Sequence, residues 1–343
     1  MELRSSFSNK MLSCRRSFFV ERNYSQARAN FQGISFAKSV SRNSLQLLFF
    51  ETMKKALMQL NLAVFLWGFT GVLGRAIRLD STMLVWWRLL ITMISLWILY
   101  FFLGKIRRMP ARDVLRISLI GTVLALHWVC FYASIKLANV TIALTCLSTT
   151  ALLASVIEPL LLKKKYDPVE ILLGLFAIAG IFIIYNTHLQ FSVGIVVGLL
   201  AALFTVLVSV LNKKIIDRYQ PEQITLYQLS GGFAGLTILL PVFRFFSPAA
   251  WAIPTARDWI WLLILSWVCT IFTFFLYIRA LKKVSAFTLN LTLTMEPVYG
   301  IVLAFLIYHE NEKLSNWFYA GFALIALAVV FHMWRLILTA RRK

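Results

Sequence analysis

Residues 192–211 read SVGIVVGLLAALFTVLVSVL, a run of twenty residues without a charged side chain. At about 1.5 Å of helical rise per residue, this run is long enough to cross a hydrocarbon core about 30 Å thick. Similar apolar windows lie near residues 56–75, 83–103, 114–134, 140–162, 169–186, 192–211, 223–243, 258–278, 286–308 and 315–336. Long continuous runs are typical of helices and differ from the alternating strands of a barrel. The sequence therefore predicts an all-α integral membrane protein with ten transmembrane helices.

The amino-acid composition argues against several other classes of protein. Hydrophobic residues make up 60% of the chain and charged residues 14%, whereas about a quarter of an ordinary soluble domain is charged. The net charge of +21 does not indicate a nucleic-acid partner, because a phosphate-binding surface would not alternate with bilayer-length apolar runs. Cys130, Cys146 and Cys269 lie in apolar windows without a CxxC pair, so neither a disulfide framework nor a zinc site is indicated. We expect no metal and no cofactor.

Basic residues in the connections predict the orientation, because Lys and Arg are retained on the cytoplasmic side. One alternating set of connections, with the C-terminal tail, holds seventeen: Lys105, Arg107, Arg108, Arg112, Lys163, Lys164, Lys165, Lys213, Lys214, Arg218, Arg279, Lys282, Lys283, Arg335, Arg341, Arg342 and Lys343. The other set holds six: Arg75, Arg78, Lys136, Arg244, Arg257 and Lys313. Both termini are therefore predicted to be cytoplasmic, which requires an even number of spans. The expected location is a bacterial inner membrane.

Residues 1–52 differ from the rest of the chain, being rich in Ser, Arg and Asn, poor in acids and without an apolar run of spanning length. Met53 directly before Lys54 and Lys55 looks like a natural start. We therefore interpret residues 1–52 as a non-membrane N-terminal extension that results from a misassigned upstream start. A targeting segment or a cytoplasmic tail is the alternative, because organellar transit peptides are also basic, Ser-rich and acid-poor.

The windows fall into two related halves, residues 53–187 and 188–343. Landmarks recur at a separation of about 147 residues, so that Tyr132 and Lys136 in the first half correspond to Tyr277 and Lys282 in the second. Because each half has five spans, an odd number, the second half must be inverted relative to the first. Inverted repeats are common in secondary transporters, whose substrate site lies near the midplane where the copies meet.

The chain resembles the EamA-type permeases of the drug/metabolite transporter superfamily over nearly all of residues 55–338. The motifs that carry the resemblance are Leu66-Trp67-Gly68, Trp87-Arg88, Tyr277-Ile-Arg-Ala280-Leu281-Lys-Lys-Val284-Ser285, and Glu296-Pro297 followed by Glu310. The first half departs from the pattern, because Thr150 stands about where the proline is expected and Lys163 to Lys165 replace a closing Gly-Glu. The resemblance implies alternating access, with windows 1–4 and 6–9 lining a central cavity and windows 5 and 10 at the periphery.

Glu296 is the most informative ionisable residue, since it lies well inside the ninth window, where a charge costs at least about 2.5 to 3.5 kcal/mol. At helical spacing it shares a polar stripe with Thr288, Thr292 and Tyr299. Pro297 deprives an earlier carbonyl of its helical partner, which favours a kink that lines a cavity. Glu296 therefore has two possible roles. It contacts a solute or proton, or it forms a structural hydrogen bond between helices.

Nine further residues complete the candidate substrate site: Trp67, Arg88, His127, Tyr132, Thr145, Gln228, Tyr277, Asn290 and Thr292. Arg88 either snorkels to the nearby surface or pairs with a carboxylate, and Gln228 is its approximate counterpart in the other half. His127 either handles protons or is a satisfied core histidine. The aromatic and hydroxyl residues, like Asn290, either contact a solute or pack helices together.

We therefore expect a secondary transporter (permease) that moves a small metabolite, amino acid or drug-like solute by alternating access, with proton coupling as one option. Its partners would be that small-molecule solute and the lipid bilayer, and the sequence leaves a homodimer open. We expect no enzymatic activity, because no HExxH, GxSxG or P-loop motif occurs in the sequence. A membrane-embedded transferase with unfamiliar motifs and a non-transporting receptor or assembly protein are the alternatives.

Overall fold

The structure is a computed structural model, and it describes residues 42–163, 165–216, 218–246, 252–281 and 292–341. Regular structure in these ranges is helical, which confirms the prediction of an all-α protein. The α-helices are α1 (Arg42–Ala76), α2 (Ser81–Phe102), α3 (Ala111–Leu137), α4 (Val140–Ser148), α5 (Thr150–Leu162), α6 (Pro168–Thr187), α7 (Ser192–Lys213), α8 (Pro221–Phe246), α9 (Ala256–Leu263), α10 (Thr273–Leu281), α11 (Glu296–Tyr308) and α12 (Asn316–Arg341). A π-helical segment, Ile264–Phe272, joins α9 to α10, and short 3-10 turns occupy Leu189–Phe191 and Glu310–Lys313.

The chain divides into two units, Met1–Lys54 and Lys55–Lys343. In the first unit the described residues comprise only the beginning of α1, which starts at Arg42 rather than at the apolar window near residue 56. The helices that build the site all belong to the second unit.

Several helices are long and apolar enough to cross a membrane. Among the described residues these are Lys54–Ala76, Ser81–Phe102, Ala111–Leu137, Pro168–Thr187, Leu189–Lys213, Pro221–Phe245 and Ala256–Tyr277, and the bent pair α4 and α5 gives an eighth. Two further apolar helices are shorter, Glu296–Tyr308 and Asn316–His332. The protein is therefore a multi-pass membrane protein. The number of ten spans stays a prediction, because residues 282–291, in the ninth window, lie outside the described ranges.

The fourth window was expected to form one helix over residues 140–162, and instead it bends by 45° between α4 and α5. Hydroxyl side chains explain the bend. Ser148, Thr149 and Thr150 each donate to the backbone carbonyl three residues earlier, at distances of 2.5 to 2.6 Å. Such bonds compete with the helical ladder and bend it.

The second half also has a break, at the position that corresponds to Thr150 in the first half. Thr294 and Met295 form a turn, and α11 begins at Glu296 with Pro297 in its first turn. Proline is favoured there because the first N–H groups of a helix have no intrahelical partner. Glu296 was expected part-way along a kinked helix, whereas the structure places it in the first turn of a new one, where a carboxylate is stabilised by the helix dipole.

Glycines lie where helices cross closely. This is expected in lipid, because the hydrophobic effect does not drive helices together there and association depends on close packing. The α6–α12 crossing is reciprocal: a Cβ on Gly180 would lie 2.6 Å from the Gly321 carbonyl oxygen, and a Cβ on Gly321 would lie 2.6 Å from that of Gly180. Ile325 covers Gly180 just as Ile184 covers Gly321. The two helices, one from each half, therefore meet through a reciprocal pair of glycines.

We expect Gly180→Ala to lower the thermal stability of the purified protein, because the new methyl group would force the two backbones apart. Overpacking of this kind costs about 1 to 3 kcal/mol. Gly174→Ala on the same helix is the matched control, since a Cβ there meets no atom within 4 Å. Alanine is also the better helix former by roughly 0.5 to 1 kcal/mol. Fluorescence-monitored unfolding in detergent compares the two variants, and equal melting temperatures would contradict the crossing.

Candidate functional site

Arg88 on α2 lies inside the bundle, with only 4% of its surface exposed. Its Nη1 donates to the Tyr132 hydroxyl at 2.8 Å, and its Nε and Nη2 donate to the Thr270 hydroxyl at 3.2 and 2.9 Å. The guanidinium also stacks on the Trp128 ring, 3.9 Å from the ring centroid, in a cation–π contact. We call Arg88, Trp128, Tyr132 and Thr270 the Arg88 cluster. Arg88 does not snorkel to the surface in this arrangement.

The hydrogen bonds of Arg88 leave part of the guanidinium available. Arginine has five N–H bonds, and three of them are directed to Tyr132 and Thr270. Two remain for an acceptor from outside the described part of the chain. Because a planar guanidinium binds carboxylates and phosphates with two parallel N–H groups, the Arg88 cluster is suited to an anion.

Glu296 contributes the opposite charge from the second half. It lies on the flank of the buried face of α11, which is marked by Pro297 and Gly300, and away from the exposed Val298 and Val302. The charge of Arg88 acts on the Glu296 carboxyl. Among the residues that the structure describes, no side chain donates a hydrogen bond to this carboxyl or forms an ion pair with it. The residue as a whole is half-buried.

Gly68 and Trp67 on α1 lie close to Glu296 and to α10, respectively. A Cβ on Gly68 would lie 2.9 Å from the Glu296 carbonyl oxygen, so only glycine allows this approach of α1 to α11. The neighbouring Trp67 donates its Nε1–H to the Thr273 hydroxyl at 2.9 Å, and its ring packs on Tyr277 with centroids 5.6 Å apart. Trp67 and Tyr277 therefore form an aromatic pair between α1 and α10, as the sequence suggested for a wall or a packing contact.

His127 on α3 contacts α7. Its Nδ1 lies 2.9 Å from the Ala201 carbonyl oxygen and 2.8 Å from the Thr205 hydroxyl. A carbonyl oxygen can only accept, so Nδ1 carries the proton in this arrangement and Nε2 has the lone pair of the neutral ring. The charge of Arg88 also acts on His127. His127 is only half-buried.

Three other candidates lie elsewhere in the described part of the chain. Gln228 on α8 donates to Asn212 at 3.2 Å, near the end of α7, and does not join the Arg88 cluster. Thr145 donates to the Thr141 carbonyl oxygen of its own helix at 2.8 Å and is buried. Thr292 is buried in the turn before Glu296. Asn290 lies outside the described residues.

Two residues that hold the site in place were missed at the level of the sequence, Thr270 as a partner of Arg88 and Glu310 as a link between the halves. Thr270 lies in the π-helical segment, where the helical period of 3.6 residues fails to show which side chains share a face. Glu310 ends a motif in the resemblance described above, but nothing in its spacing identifies its partners.

Glu310 is buried, with 1% of its surface exposed, and it joins the second half to α1 and α4 of the first. Its carboxylate accepts hydrogen bonds from the Thr141 N–H at 2.8 Å, the Thr141 hydroxyl at 2.6 Å and the Val140 N–H at 3.1 Å, and it forms an ion pair with Arg75. Arg75 in turn stacks on the Tyr308 ring, 4.3 Å from its centroid. We call Arg75, Val140, Thr141, Tyr308 and Glu310 the Glu310 cluster.

The Glu310 cluster supplies half of the N-terminal cap of α4. The Asn139 side chain accepts from the Ile142 N–H at 2.8 Å, and Glu310 accepts from the two preceding N–H groups. The first turn of α4 is thus satisfied by one residue from each half of the chain, and the carboxylate lies at the positive end of the helix dipole. Separation of the halves here would leave these groups unpaired.

Exposed ion pairs join the halves at the opposite ends of the helices. Lys105 pairs with Glu222 at 3.1 Å, and Lys213 pairs with Glu158 at 2.5 Å. Lys163, close to Glu158 in sequence, ends α5 in a left-handed conformation.

A third pair at this end joins α6 to α12. Arg335 pairs with Asp167 at 2.5 Å, and the hydrogen bond from Arg335 lowers the pKa of Asp167. Because these pairs are all solvent-exposed to some degree, each contributes little to stability.

Comparison with known proteins gives a family match over most of the chain. The family model described as the EamA-like transporter family matches twice, at residues 54–186 and 192–332. Among curated proteins, an uncharacterized transporter (YxxF) of Bacillus subtilis is 24% identical over 256 residues, which cover 72% of this chain and 80% of that protein. An uncharacterized transporter of Archaeoglobus fulgidus is 23% identical over 289 residues, 84% of this chain and 100% of that protein.

One solved crystal structure is similar in fold. It superposes with a TM-score of 0.55 at 17% sequence identity, and the match covers 88% of this chain and 100% of that chain.

We expect Glu310→Gln to destabilise the protein strongly, because an amide would lose the ion pair and turn its own N–H groups toward buried donors. Loss of a hydrogen bond to a buried charged acceptor costs about 1.5 to 3 kcal/mol. Glu312→Gln is the matched control, since Glu312 is exposed two residues away. Thermal unfolding of both variants in detergent measures the difference, and an unchanged melting temperature for Glu310→Gln would contradict the role of the Glu310 cluster.

Proposed function

Because the chain belongs to the EamA-like transporter family, within the drug/metabolite transporter superfamily, we propose that this membrane transporter carries a small anionic or zwitterionic solute, which binds between Arg88 and Glu296. The observation that carries the proposal is the pair of opposite charges, one from each repeat. Arg88 retains two N–H bonds and Glu296 lacks a partner among the described residues. A charged group inside a membrane protein is expensive and marks a solute or ion pathway by default.

The breaks in the helices support the same location. The α4–α5 bend and the turn before Glu296 occupy corresponding positions in the two repeats. Paired interruptions of apolar segments are the best sequence-level pointer to a transport site, because backbone polar groups freed at midplane depth must face a cavity or a solute. The start of α11 adds free N–H groups beside Glu296.

The chemistry of the site favours a solute with a carboxylate and a cationic group, such as an amino acid, among the small metabolites that the sequence suggested. Its carboxylate would accept from the two remaining N–H bonds of Arg88, and its ammonium group would lie at Glu296. Trp67, Trp128 and Tyr277 would supply an aromatic wall. In the absence of solute, a proton on Glu296 would remove the unpaired charge, which gives a route to proton coupling with His127 as a second acceptor.

For the architecture we propose ten spans in two inverted repeats with both termini in the cytoplasm of a bacterial cell. The seven long helices, the α4–α5 pair and the two shorter helices make up this number. Basic connections at one set of helix ends support the orientation.

Alternating access would then depend on the difference in strength between the contacts that join the repeats at the two ends of the bundle. In the proposed orientation the Glu310 cluster closes the outer end with a buried charge and several hydrogen bonds. The inner end is held by exposed ion pairs such as Lys105–Glu222. Because exposed pairs exchange readily with water, the inner end would open at lower cost than the outer end.

We expect Arg88→Gln to reduce solute flux in liposomes at least tenfold, about the effect of losing one charge-assisted hydrogen bond. Glu296→Gln should abolish accumulation driven by a proton gradient while downhill exchange continues, because the amide mimics a carboxyl that cannot release its proton. The assay uses purified protein and single radiolabelled amino acids, monocarboxylates and dicarboxylates.

Glu312→Gln serves as the control for both variants, because this residue is exposed and outside the site. Proton-driven accumulation at the wild-type level by Glu296→Gln would remove Glu296 from the coupling step. No flux by the wild-type protein above empty liposomes across the whole panel would contradict the proposed solutes and favour one of the other roles considered for the sequence.

A further inference from the structure

The π-helical segment Ile264–Phe272 is the element that meets α2 beside Arg88. Ser266 donates to the Arg88 carbonyl oxygen at 3.3 Å, and Trp267 donates its Nε1–H to Ser95 at 3.0 Å. Thr270 lies one turn further and accepts from the Arg88 side chain. The segment belongs to the second repeat and α2 to the first, so it forms a polar seam between the repeats. Single-turn π-helical insertions are often found at functional sites.

The Thr270 hydroxyl donates one hydrogen bond to the backbone and accepts two from Arg88. It donates to the Leu265 carbonyl oxygen, five residues earlier, at 2.8 Å. A hydroxyl has one proton and two acceptor lone pairs. Because the proton is used on the backbone, both lone pairs are available, and Arg88 Nε and Nη2 occupy them at 3.2 and 2.9 Å. The wider π-helical turn therefore turns Thr270 into a pure acceptor toward the guanidinium.

Three contacts together fix the orientation of the guanidinium. Thr270 holds the edge with Nε and Nη2, Tyr132 holds Nη1, and the Trp128 ring covers one face. Thr270 is 1% exposed, so water does not compete for these bonds. With one edge and one face occupied, the two remaining N–H bonds have a defined direction.

We propose that Thr270 is a positioning residue, which acts through Arg88 and sets the direction in which the guanidinium presents its two free N–H bonds to the solute. The inference rests on the proposed function, since it assigns Arg88 to solute binding. It adds a residue of the second repeat to the control of a binding group from the first. A change in the relative position of the repeats would therefore reorient Arg88 and alter its affinity for the solute.

The first test does not depend on transport. Protein labelled with ¹⁵N-arginine in detergent micelles gives an Nε–H signal for Arg88, which is identified by its loss in Arg88→Lys. In the wild-type protein we expect this Nε–H to exchange slowly with D₂O. Thr270→Val should accelerate the exchange at least tenfold, because it removes the acceptor, and Thr270→Ser should keep it slow. Thr225→Val is the control, because this buried threonine on α8 donates only to its own helix.

The second test uses liposomes and the panel member with the highest wild-type flux. We expect Thr270→Val to raise KM about tenfold with kcat nearly unchanged, because a guanidinium without its two bonds to Thr270 is no longer held in the orientation that binds the solute. Thr270→Ser should restore the wild-type KM. Wild-type exchange at the Arg88 Nε–H in Thr270→Val, or an unchanged KM, would overturn the inference. A wild-type protein without any flux would contradict the proposed function, while the exchange measurement still decides whether Thr270 holds Arg88.

Discussion

A guanidinium in the interior of a membrane protein needs hydrogen-bond acceptors and aromatic faces to compensate its charge, and the centre of this structure is organised by that requirement. Arg88 uses the Tyr132 hydroxyl, the Thr270 hydroxyl and the Trp128 ring, which come from α3 and from the opposite repeat. Uncompensated, the charge would cost at least about 2.5 to 3.5 kcal/mol even on permissive scales. Polar contacts from the second repeat thus stabilise the charge of Arg88 on α2. The same charge also interacts electrostatically with the Glu296 carboxyl.

The two repeats are joined by different types of interaction at different positions along the helices. Gly180 and Gly321 bring α6 and α12 into backbone contact, so this crossing depends on shape and tolerates no side chain. The Glu310 cluster joins the repeats with a buried charge that completes the cap of α4. The pairs Lys105–Glu222 and Lys213–Glu158 at the opposite ends are exposed and hold the repeats weakly. Among the described residues, the two ends of the bundle are therefore joined by different kinds of contact.

Much of the fold follows from the sequence, because a bilayer-length apolar run has few stable structures other than a helix. The breaks were harder to predict: Pro297 signalled one, but the hydroxyls of Ser148 to Thr150 form their bonds to the backbone only in context. Trp67, Arg88, Tyr132 and Glu296 could be singled out as candidates from the sequence, because polar and aromatic groups in apolar windows are conspicuous. The roles of Thr270 and Glu310 could not be predicted from the sequence. A π-helical turn departs from the period of 3.6 residues, and a contact between distant helix ends produces no sequence periodicity.

A structure of the protein with its transported solute tests the central claim most directly. Electron cryo-microscopy of the purified protein in a lipid nanodisc, with the solute at saturating concentration, would locate the ligand between the repeats. The account predicts an anionic group of the solute within about 3 Å of the Arg88 guanidinium, with Glu296 on its other side. Density for the solute at Gln228 and Asn212, or on a surface that Arg88 does not reach, would contradict it.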